Sequence, residues 1–126
     1  MDNTITIVTV VYNDKNNIEK TINSVLNQSY NSKEYIVVDG KSTDGTLEIV
    51  KKYADQISVI VSEPDRGIYD AMNKAVDLAH NEWIIFMNSG DVFADNDTLK
   101  NVFNEPISKN ISFIYTDLFN YIYRQI

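Results

Sequence analysis

The sequence predicts an α/β domain in which helices flank a mostly parallel sheet. Apolar, β-branched segments alternate with segments of helical periodicity. The first strand segment, TITIVTVVY at residues 4–12, is almost continuously apolar, as in strands buried on both faces. All four glycines fall directly after a predicted strand or just before a helix. A chain of 126 residues with 44% hydrophobic residues suits one compact domain, which we assign to residues 1–126.

The predicted elements follow one another as βαβ units with right-handed crossovers. Five strands are predicted, at residues 4–12, 35–38, 57–61, 83–87 and 111–115. The apolar stripes that predict the helices are Ile18, Ile22, Val25 and Leu26; Leu47, Val50 and Ala54; Ile68, Met72, Ala75 and Ala79; and Leu99, Val102 and Phe103. Asp95 or Asn96 is predicted to cap the last helix. Residues 117–126 either extend the fifth strand or fray.

Composition excludes several classes of protein. With no cysteine, a disulfide framework and a thiolate metal site are both excluded, so a metal must be held by oxygen ligands or by His80. The net charge of −7 repels a phosphate backbone and argues against a nucleic-acid partner. The N-terminus lacks the pattern of a secretory signal, and no run of roughly 18 apolar residues occurs. We therefore expect a cytoplasmic protein that can lie peripherally at the inner face of the membrane.

The first polar motif, DGKSTDGT at residues 39–46, follows the second predicted strand. Asp39 stands at the carboxyl end of that strand, where ligands of open α/β sheets bind. Its carboxylate can accept a hydrogen bond from a nucleobase or a ribose hydroxyl. Ser42, Thr43 and Asp44 can cap the next helix, but capping does not require an acid at position 39. A binding role for Asp39 is therefore the favoured interpretation.

The second motif, SEPDRGIYDAMNKA at residues 62–75, opens the third predicted helix. Asp65 and Gly67 form a turn, and Asp70 and Asn73 share one helical face. Arg66 and Lys74 are placed to meet a phosphate or to balance these acids. A solvated, capped helix start is an equally good interpretation of this segment taken alone.

The third motif, FMNSGDVF at residues 86–93, follows the fourth predicted strand. Asp91 beside Gly90 suits a hard cation that also takes diphosphate oxygens and water as ligands, and Mn²⁺ or Mg²⁺ fits best. A divalent cation is also what a diphosphate would need in a pocket lined by acids. An ordinary turn that contains an aspartate is the alternative.

Together the three motifs resemble those of the family 2 glycosyltransferases, and the resemblance extends from Thr4 to about Asp117. It implies the GT-A type, Rossmann-like fold and inverting transfer from a nucleotide sugar, a UDP-sugar being favoured, to a glycan or lipid-linked acceptor. Asp91 matches the metal-binding acid of the family's DxD-type motif. The substrate-binding residues that the resemblance implies are Val11, Tyr12, Asn13, Asp39, Lys41, Ser42, Asp65, Arg66, Gly67, Asp70, Asn73, Asn88, Ser89 and Gly90.

The sequence departs from the family pattern at two places. Asn88 and Gly90 replace acids of the DxD region, so one carboxylate remains. Gly40 and Lys41 stand where a second acid and a glycine are more usual. Family enzymes continue into an acceptor-binding region that carries the general base, so we expect that region and its base to lie outside these residues. The apolar run LFNYIY, at residues 118–123, predicts self-association through the C-terminal edge.

Three other classes of α/β protein fit poorly. No glycine-rich turn follows the first strand, and no GxxxxGK[ST] sequence occurs, so a dinucleotide-binding oxidoreductase and a P-loop NTPase are disfavoured. A phosphate receiver would have its acids after the first and third strands, whereas here they follow the second, third and fourth. The remaining alternative is a non-catalytic domain that binds a nucleotide or pairs with another chain.

Overall fold

A computed structural model describes residues 3–104, 106–115 and 121–125 of the chain. Within these residues the strands form one sheet in the order β3-β2-β1-β4-β6-β5. Their bounds are β1 Ile5–Val11, β2 Lys33–Asp39, β3 Val59–Ser62, β4 Trp83–Phe86, β5 Phe113–Tyr115 and β6 Tyr121–Arg124. The pairs β1–β2, β1–β4 and β2–β3 are parallel, and β6 runs antiparallel to both β4 and β5. The predicted α/β fold with a mostly parallel sheet is confirmed.

Helices cover both faces of this sheet. Their bounds are α1 Ile18–Leu26, α2 Thr46–Lys51, α3 Ile68–Leu78 and α4 Thr98–Val102. Side chains of α1, α2 and α4 pack with those strand residues, such as Ile7 and Ile85, that point to one face. The small side chains of Ala71 and Ala75 on α3 pack with Val8 and Val10 on the opposite face. Because β1 is buried over its whole length, it is the central strand on which both layers rest.

Two predicted helices differ from the structure. α2 ends at Lys51, so Ala54 lies beyond it and is exposed. In α3 the buried residues are Ala71 and Ala75, whereas Ile68 is 48% exposed. The predicted stripe on α3 was therefore wrong at its first position, because the larger apolar side chain there does not face the sheet.

The C-terminal segment also differs from the prediction. The predicted strand at 111–115 begins at Phe113, and β6 is inserted between it and β4. In the predicted association edge, residues 118–120 lie outside the described residues. Ile122 within β6 is fully buried. Residues 121–123 thus belong to an inner strand, and self-association stays a prediction.

In the described part of the chain, no helix is long and apolar enough to cross a membrane.

Candidate functional site

The carboxyl ends of β1 to β4 meet at one edge of the sheet because these strands are mutually parallel. In the register of the sheet, Asp39 at the end of β2 lies between Val11 of β1 and Ser62 of β3. The loops that follow carry Asp65 and Asp91, so the predicted grouping of these three acids at one edge is confirmed. His80 lies at the opposite edge, where its backbone N–H donates to Glu34 near the start of β2 (3.2 Å).

A cavity of about 400 Å³ opens at this edge. Three segments form its wall: the end of β1 with the loop after it, the loop before α3, and the loop after β4. Its lining residues are Val10, Val11, Tyr12, Asn13, Asp14, Asp65, Gly67, Ile68, Asn88 and Ser89. Seven of them were predicted as site residues, whereas Val10, Asp14 and Ile68 were not. A largely apolar wall with a few polar groups is typical of a small-molecule site.

Asp39 is enclosed by its own hydrogen-bond partners and does not line the cavity. Its side chain is fully buried. Oδ1 accepts a hydrogen bond from the Ser42 hydroxyl (2.5 Å), and Oδ2 accepts from the Ser42 N–H (2.9 Å) and the Ser62 hydroxyl (2.8 Å). The carboxylate therefore ties β2 to β3 and shapes the loop after β2. Its contact with a nucleoside stays a prediction.

The loop after β2 is also bound to the loop after β1. The Asn13 N–H donates to the Ser42 hydroxyl, and the Thr43 N–H donates to Asn13 Oδ1, each at 2.8 Å. Both Asn13 and Lys41 adopt positive φ angles, 47° and 65°. Lys41 is exposed and lies outside the cavity wall. Of the predicted residues in these two loops, Tyr12 and Asn13 line the cavity, whereas Lys41 and Ser42 do not.

Gly45 is the N-cap of α2 and no side chain caps the helix there, so the predicted capping by Ser42, Thr43 or Asp44 was wrong. Asp44 instead holds the turn just before α2. Asp44 Oδ1 accepts hydrogen bonds from the Thr46 hydroxyl (2.5 Å) and the Thr46 N–H (3.0 Å) at the start of α2. The Thr46 hydroxyl is the main cause that lowers the pKa of the Asp44 carboxyl below its usual range, with backbone N–H groups contributing. Ser42, which was predicted as an alternative cap, is occupied by Asp39.

The loop before α3 folds on its own acids. Asp65 Oδ1 accepts from the Gly67 N–H (3.0 Å), and Asp70 Oδ2 accepts from the Arg66 N–H (2.9 Å). Lys74 donates to the Pro64 carbonyl (2.9 Å) and lies 3.9 Å from Asp70 Oδ2. Asp70 and Lys74 therefore hold the loop before α3 against the start of the helix, although the N-cap residue, Gly67, has no side-chain cap. Asp65 and Gly67 line the cavity, whereas Arg66, Asp70 and Asn73 do not, and ligand roles for those three stay predictions.

The loop after β4, residues 88–91, is fixed from two sides. Asn88 Oδ1 accepts from the Val10 N–H (3.2 Å), and the Ser89 N–H donates to the Val10 carbonyl (3.1 Å). The Gly90 N–H, at a residue with φ 102°, donates to the Thr21 hydroxyl of α1 (2.8 Å). Asp91 Oδ2 accepts from the Asn88 N–H (3.1 Å) and the residue is exposed. Asn88 and Ser89 of this loop line the cavity, whereas Gly90 and the exposed Asp91 do not, so the ligand roles of those two stay predictions.

The sequence profile described as Glycosyl transferase family 2 matches residues 6–117, which include every motif above. The chain belongs to glycosyl transferase family 2. A putative teichuronic acid biosynthesis glycosyltransferase, TuaG, of Bacillus subtilis is 33% identical over 115 residues, which are 89% of this chain and 45% of that protein. A PGL/p-HBAD biosynthesis glycosyltransferase of Mycobacterium bovis is 38% identical over 84 residues, 64% of this chain and 33% of that protein. This family 2 chain therefore spans between a third and a half of the length of these relatives.

Solved structures show the same fold. A mannosyltransferase, PcManGT, from Pyrobaculum calidifontis in complex with GDP-Man and Mn²⁺ superposes with a TM-score of 0.82 at 25% identity, over 91% of this chain and 35% of that one. S. aureus TarS 1-349 in complex with UDP-GlcNAc gives a TM-score of 0.78 at 21% identity, over 96% of this chain and 45% of that one. These similarities confirm the GT-A type arrangement predicted from the sequence.

The donor atoms beside the cavity suit a divalent ion that brings ligands of its own. Among the described residues, no group of three or more acidic or histidine side chains is placed to hold a metal. Asp91 offers an exposed carboxylate, and its neighbour Asn88 has its side-chain oxygen engaged by Val10. One carboxylate completed by phosphate oxygens and water is a usual coordination of Mg²⁺. The residues present therefore fit Mn²⁺ or Mg²⁺ carried with a diphosphate.

Proposed function

We propose that this chain is the donor-binding domain of an inverting glycosyltransferase, which holds a nucleotide diphosphate sugar with the help of Mn²⁺ or Mg²⁺. The observation that carries the proposal is the cavity at the carboxyl ends of β1 and β4, with the loop of Asp91 at its side. A UDP-sugar is the favoured donor. Solved relatives in complex with UDP-GlcNAc and with GDP-Man and Mn²⁺ support a nucleotide sugar as the ligand class.

The cavity wall has the chemistry of a nucleoside site. Val10, Val11 and Ile68 supply apolar surface, and Tyr12, which also lines the cavity, is 63% exposed. An exposed aromatic ring offers a face on which a nucleobase can stack, a contact worth roughly 1–3 kcal/mol per base. Asp65 supplies a carboxylate that can accept a hydrogen bond from a base or a ribose hydroxyl. The wall therefore binds and orients the nucleoside.

The diphosphate belongs beside the cavity, at Asp91. A diphosphate meets repulsion in a chain of net charge −7 unless a cation lies between. Asp91 would hold that cation, which neutralises charge on the diphosphate and on the leaving nucleotide. The protein's own part is positional, because Asn88 and Gly90 fix the loop that carries Asp91.

The acceptor we propose is a glycan or a lipid-linked glycan. Two relatives support this acceptor class: one is named as a teichuronic acid biosynthesis glycosyltransferase and the other as a PGL/p-HBAD biosynthesis glycosyltransferase. The general base that deprotonates the acceptor hydroxyl for inverting displacement is proposed to lie outside the three motifs, whose acids already hold loops together or flank the cavity.

A nucleotide panel tests this proposal on the 126-residue chain. Thermal unfolding is followed with UDP, GDP, CDP and ADP, each with Mn²⁺ and with a chelator. We expect UDP with Mn²⁺ to raise the unfolding temperature, because a ligand at 100 times its Kd stabilises the folded state by about 2.7 kcal/mol. The expected shift with a chelator is much smaller. No shift with any nucleotide would refute the proposal, and equal shifts with and without Mn²⁺ would refute its metal component.

Gly40→Ala is expected to weaken nucleotide binding while the fold persists. A Cβ at Gly40 would lie 2.8 Å from Asp65 Oδ2 and 3.2 Å from Tyr12 Cδ1, so both cavity-lining side chains must move. The Asp65 carboxylate is the end of a rotatable side chain, which keeps the loss of stability small. Loss of one hydrogen bond to a ligand corresponds to roughly 2- to 10-fold in affinity. Calorimetric titration with UDP and Mn²⁺ measures the loss of affinity. An affinity equal to that of the unaltered chain would contradict the prediction.

A further inference from the structure

Asp14 is an acid of the cavity wall to which none of the three motifs assigns a role. It follows β1 and is half-buried. Its Oδ2 accepts a hydrogen bond from the Ser89 hydroxyl (2.8 Å), across 75 residues of chain, and its Oδ1 accepts from Asn17 Nδ2 (2.8 Å). Asp14 thus links the loop after β1 directly to the loop that carries Asp91.

The position of Asp14 is fixed by contacts on its backbone as well. Its N–H donates to the hydroxyl of Thr46 (2.9 Å), a fully buried residue whose hydroxyl proton goes to Asp44. Its carbonyl accepts from the Asn17 N–H (3.1 Å) and the Ile18 N–H (3.0 Å) at the start of α1. These contacts fix the backbone of Asp14, while the hydrogen bonds from Ser89 and Asn17 hold its carboxylate.

The pairing determines which way the Ser89 hydroxyl points. An ionised carboxylate can only accept hydrogen bonds, and both oxygens of Asp14 do so. The single proton of the Ser89 hydroxyl is therefore committed to Asp14, and only its lone pairs are left for a ligand. Ser89 lines the cavity, so it presents an acceptor there and not a donor.

The rest of the wall holds one more carboxylate, that of Asp65, and two side-chain amides. The side-chain oxygens of Asn88 and Asn13 accept from the Val10 and Thr43 N–H groups, so their Nδ2 groups are left as donors. Within the described residues, no lysine, arginine or histidine lines the cavity. Two carboxylates, with no cationic side chain beside them in the described lining, repel phosphate oxygens and attract hydroxyl groups, which donate hydrogen bonds.

We propose that Ser89 accepts a hydrogen bond from a hydroxyl group of the bound nucleotide sugar, and that Asp14 is the positioning residue that makes it an acceptor. This inference rests on the proposed donor-binding function. The hydroxyl can belong to the ribose or to the transferred sugar, since both offer the same chemistry to Ser89.

Deoxy analogues test the proposal in calorimetric titrations with Mn²⁺. The ribose arm compares UDP with 2′-deoxy-UDP and 3′-deoxy-UDP, and the sugar arm compares UDP-glucose with its monodeoxyglucose analogues. If the chain binds GDP instead, the guanosine series with GDP-mannose is used. One analogue is expected to bind the unaltered chain roughly 2- to 10-fold more weakly, the usual worth of one hydrogen bond.

Three substitutions assign that loss to the pair. In Ser89→Ala the analogue that lacks the ligand hydroxyl should bind as well as the parent ligand. Its penalty disappears because the hydrogen bond between Ser89 and that hydroxyl is already lost. In Asp14→Asn the new amide can donate to Ser89 while its oxygen keeps Asn17, which frees the Ser89 proton for the ligand. The ligand hydroxyl can accept that proton, so the deoxy penalty should persist. A deoxyfluoro analogue, which accepts but cannot donate, should be penalised less by this variant than by the unaltered chain. Ser89→Thr retains the hydroxyl and should retain the penalty. Asp77→Asn, an exposed acid on α3, controls for the change in charge.

A purely structural role for Asp14 predicts a different pattern, in which the variants lose thermal stability but discriminate the analogues as the unaltered chain does. That pattern, or the absence of a discriminated analogue in both arms, overturns the inference. If Asp14→Asn does not fold, the comparison of Ser89→Ala with Ser89→Thr decides the role of Ser89 as the acceptor. Failure of the unaltered chain to bind any nucleotide refutes the proposed function instead, so the two failures are distinguishable.

Discussion

Asp91→Asn is expected to abolish the gain in nucleotide affinity that Mn²⁺ provides. Asparagine keeps the shape of the side chain and can still accept from the Asn88 N–H, so the loop should stay folded. What is lost is the negative charge that holds a cation against the diphosphate. Changes to groups that merely support metal ligands cost about 10–100-fold in affinity. Substitution of a direct metal ligand such as Asp91 should reduce affinity by at least as much. Titration of UDP at several Mn²⁺ concentrations measures this reduction.

The matched control for this experiment is Asp77→Asn, which removes the same charge from an exposed position on α3. It should leave both the affinity and the Mn²⁺ dependence unchanged. If Asp91→Asn retained the full Mn²⁺ effect, another group would have to hold the ion. Asp14, the neighbouring acid of the cavity wall, would then be the first residue to substitute.

Trp83→Ala should destabilise the fold more than any substitution at the site. Trp83 begins β4, is fully buried and packs against Phe103, with ring centroids 6.1 Å apart. The Arg124 guanidinium of β6 lies 4.4 Å from its ring centroid. Truncation of a buried tryptophan costs about 3–5 kcal/mol, which approaches the whole stability of a small domain. Urea unfolding followed by far-ultraviolet circular dichroism measures the loss of stability. Tryptophan fluorescence cannot be used, because Trp83 is the chain's single tryptophan and the substitution removes it.

Trp83→Phe separates packing from hydrogen bonding. The Trp83 indole N–H has no hydrogen-bond partner among the described residues. Phenylalanine therefore loses ring volume but no hydrogen bond, and a much smaller loss of stability is expected. Equal losses in the two variants would show that the cost does not arise from packing of the ring.

Local chemistry allowed much of this fold to be predicted. The continuous apolar run of β1 and the helical spacing of Ile18, Ile22 and Val25 are local patterns, and both were correct. The stripe on α3 was correct at Met72, Ala75 and Ala79 and wrong at Ile68, because the structure packs Ala71 on the sheet and turns Ile68 toward the cavity. Size alone cannot show which apolar face a helix buries when small residues allow close approach.

The arrangement of the C-terminal strands could not be predicted either. β6 pairs with β4 and leaves β5 at the edge, so the later strand lies inside the earlier one. Sequence periodicity reports whether a segment is a strand, but not which neighbour it pairs with. That choice depends on contacts such as Arg124 with Trp83, which join residues 41 positions apart.

At the site, motif residues were easier to predict than their partners. The grouping of Asp39, Asp65 and Asp91 follows from parallel strands, whose carboxyl ends share an edge. Asp14 was missed because an aspartate in the turn between β1 and α1 is common, and its pairing with Ser89 spans 75 residues. The enclosure of Asp39 was missed for the same reason, since it depends on Ser62 of the next strand.

The positive φ angle of Lys41 suits a glycine, the residue that the resemblance to the family implies at this position. A non-glycine residue in the left-handed region costs roughly 1–2 kcal/mol, whereas glycine adopts it freely. Asn13, in the loop that binds this one, is also left-handed, although asparagine tolerates the region better. Strain of this kind lowers the free energy needed to open a loop locally. The loop after β2, which encloses the Asp39 carboxylate, should therefore exchange between closed and open states more readily than the strands of the sheet. Opening of this loop would give a ligand access to the carboxylate.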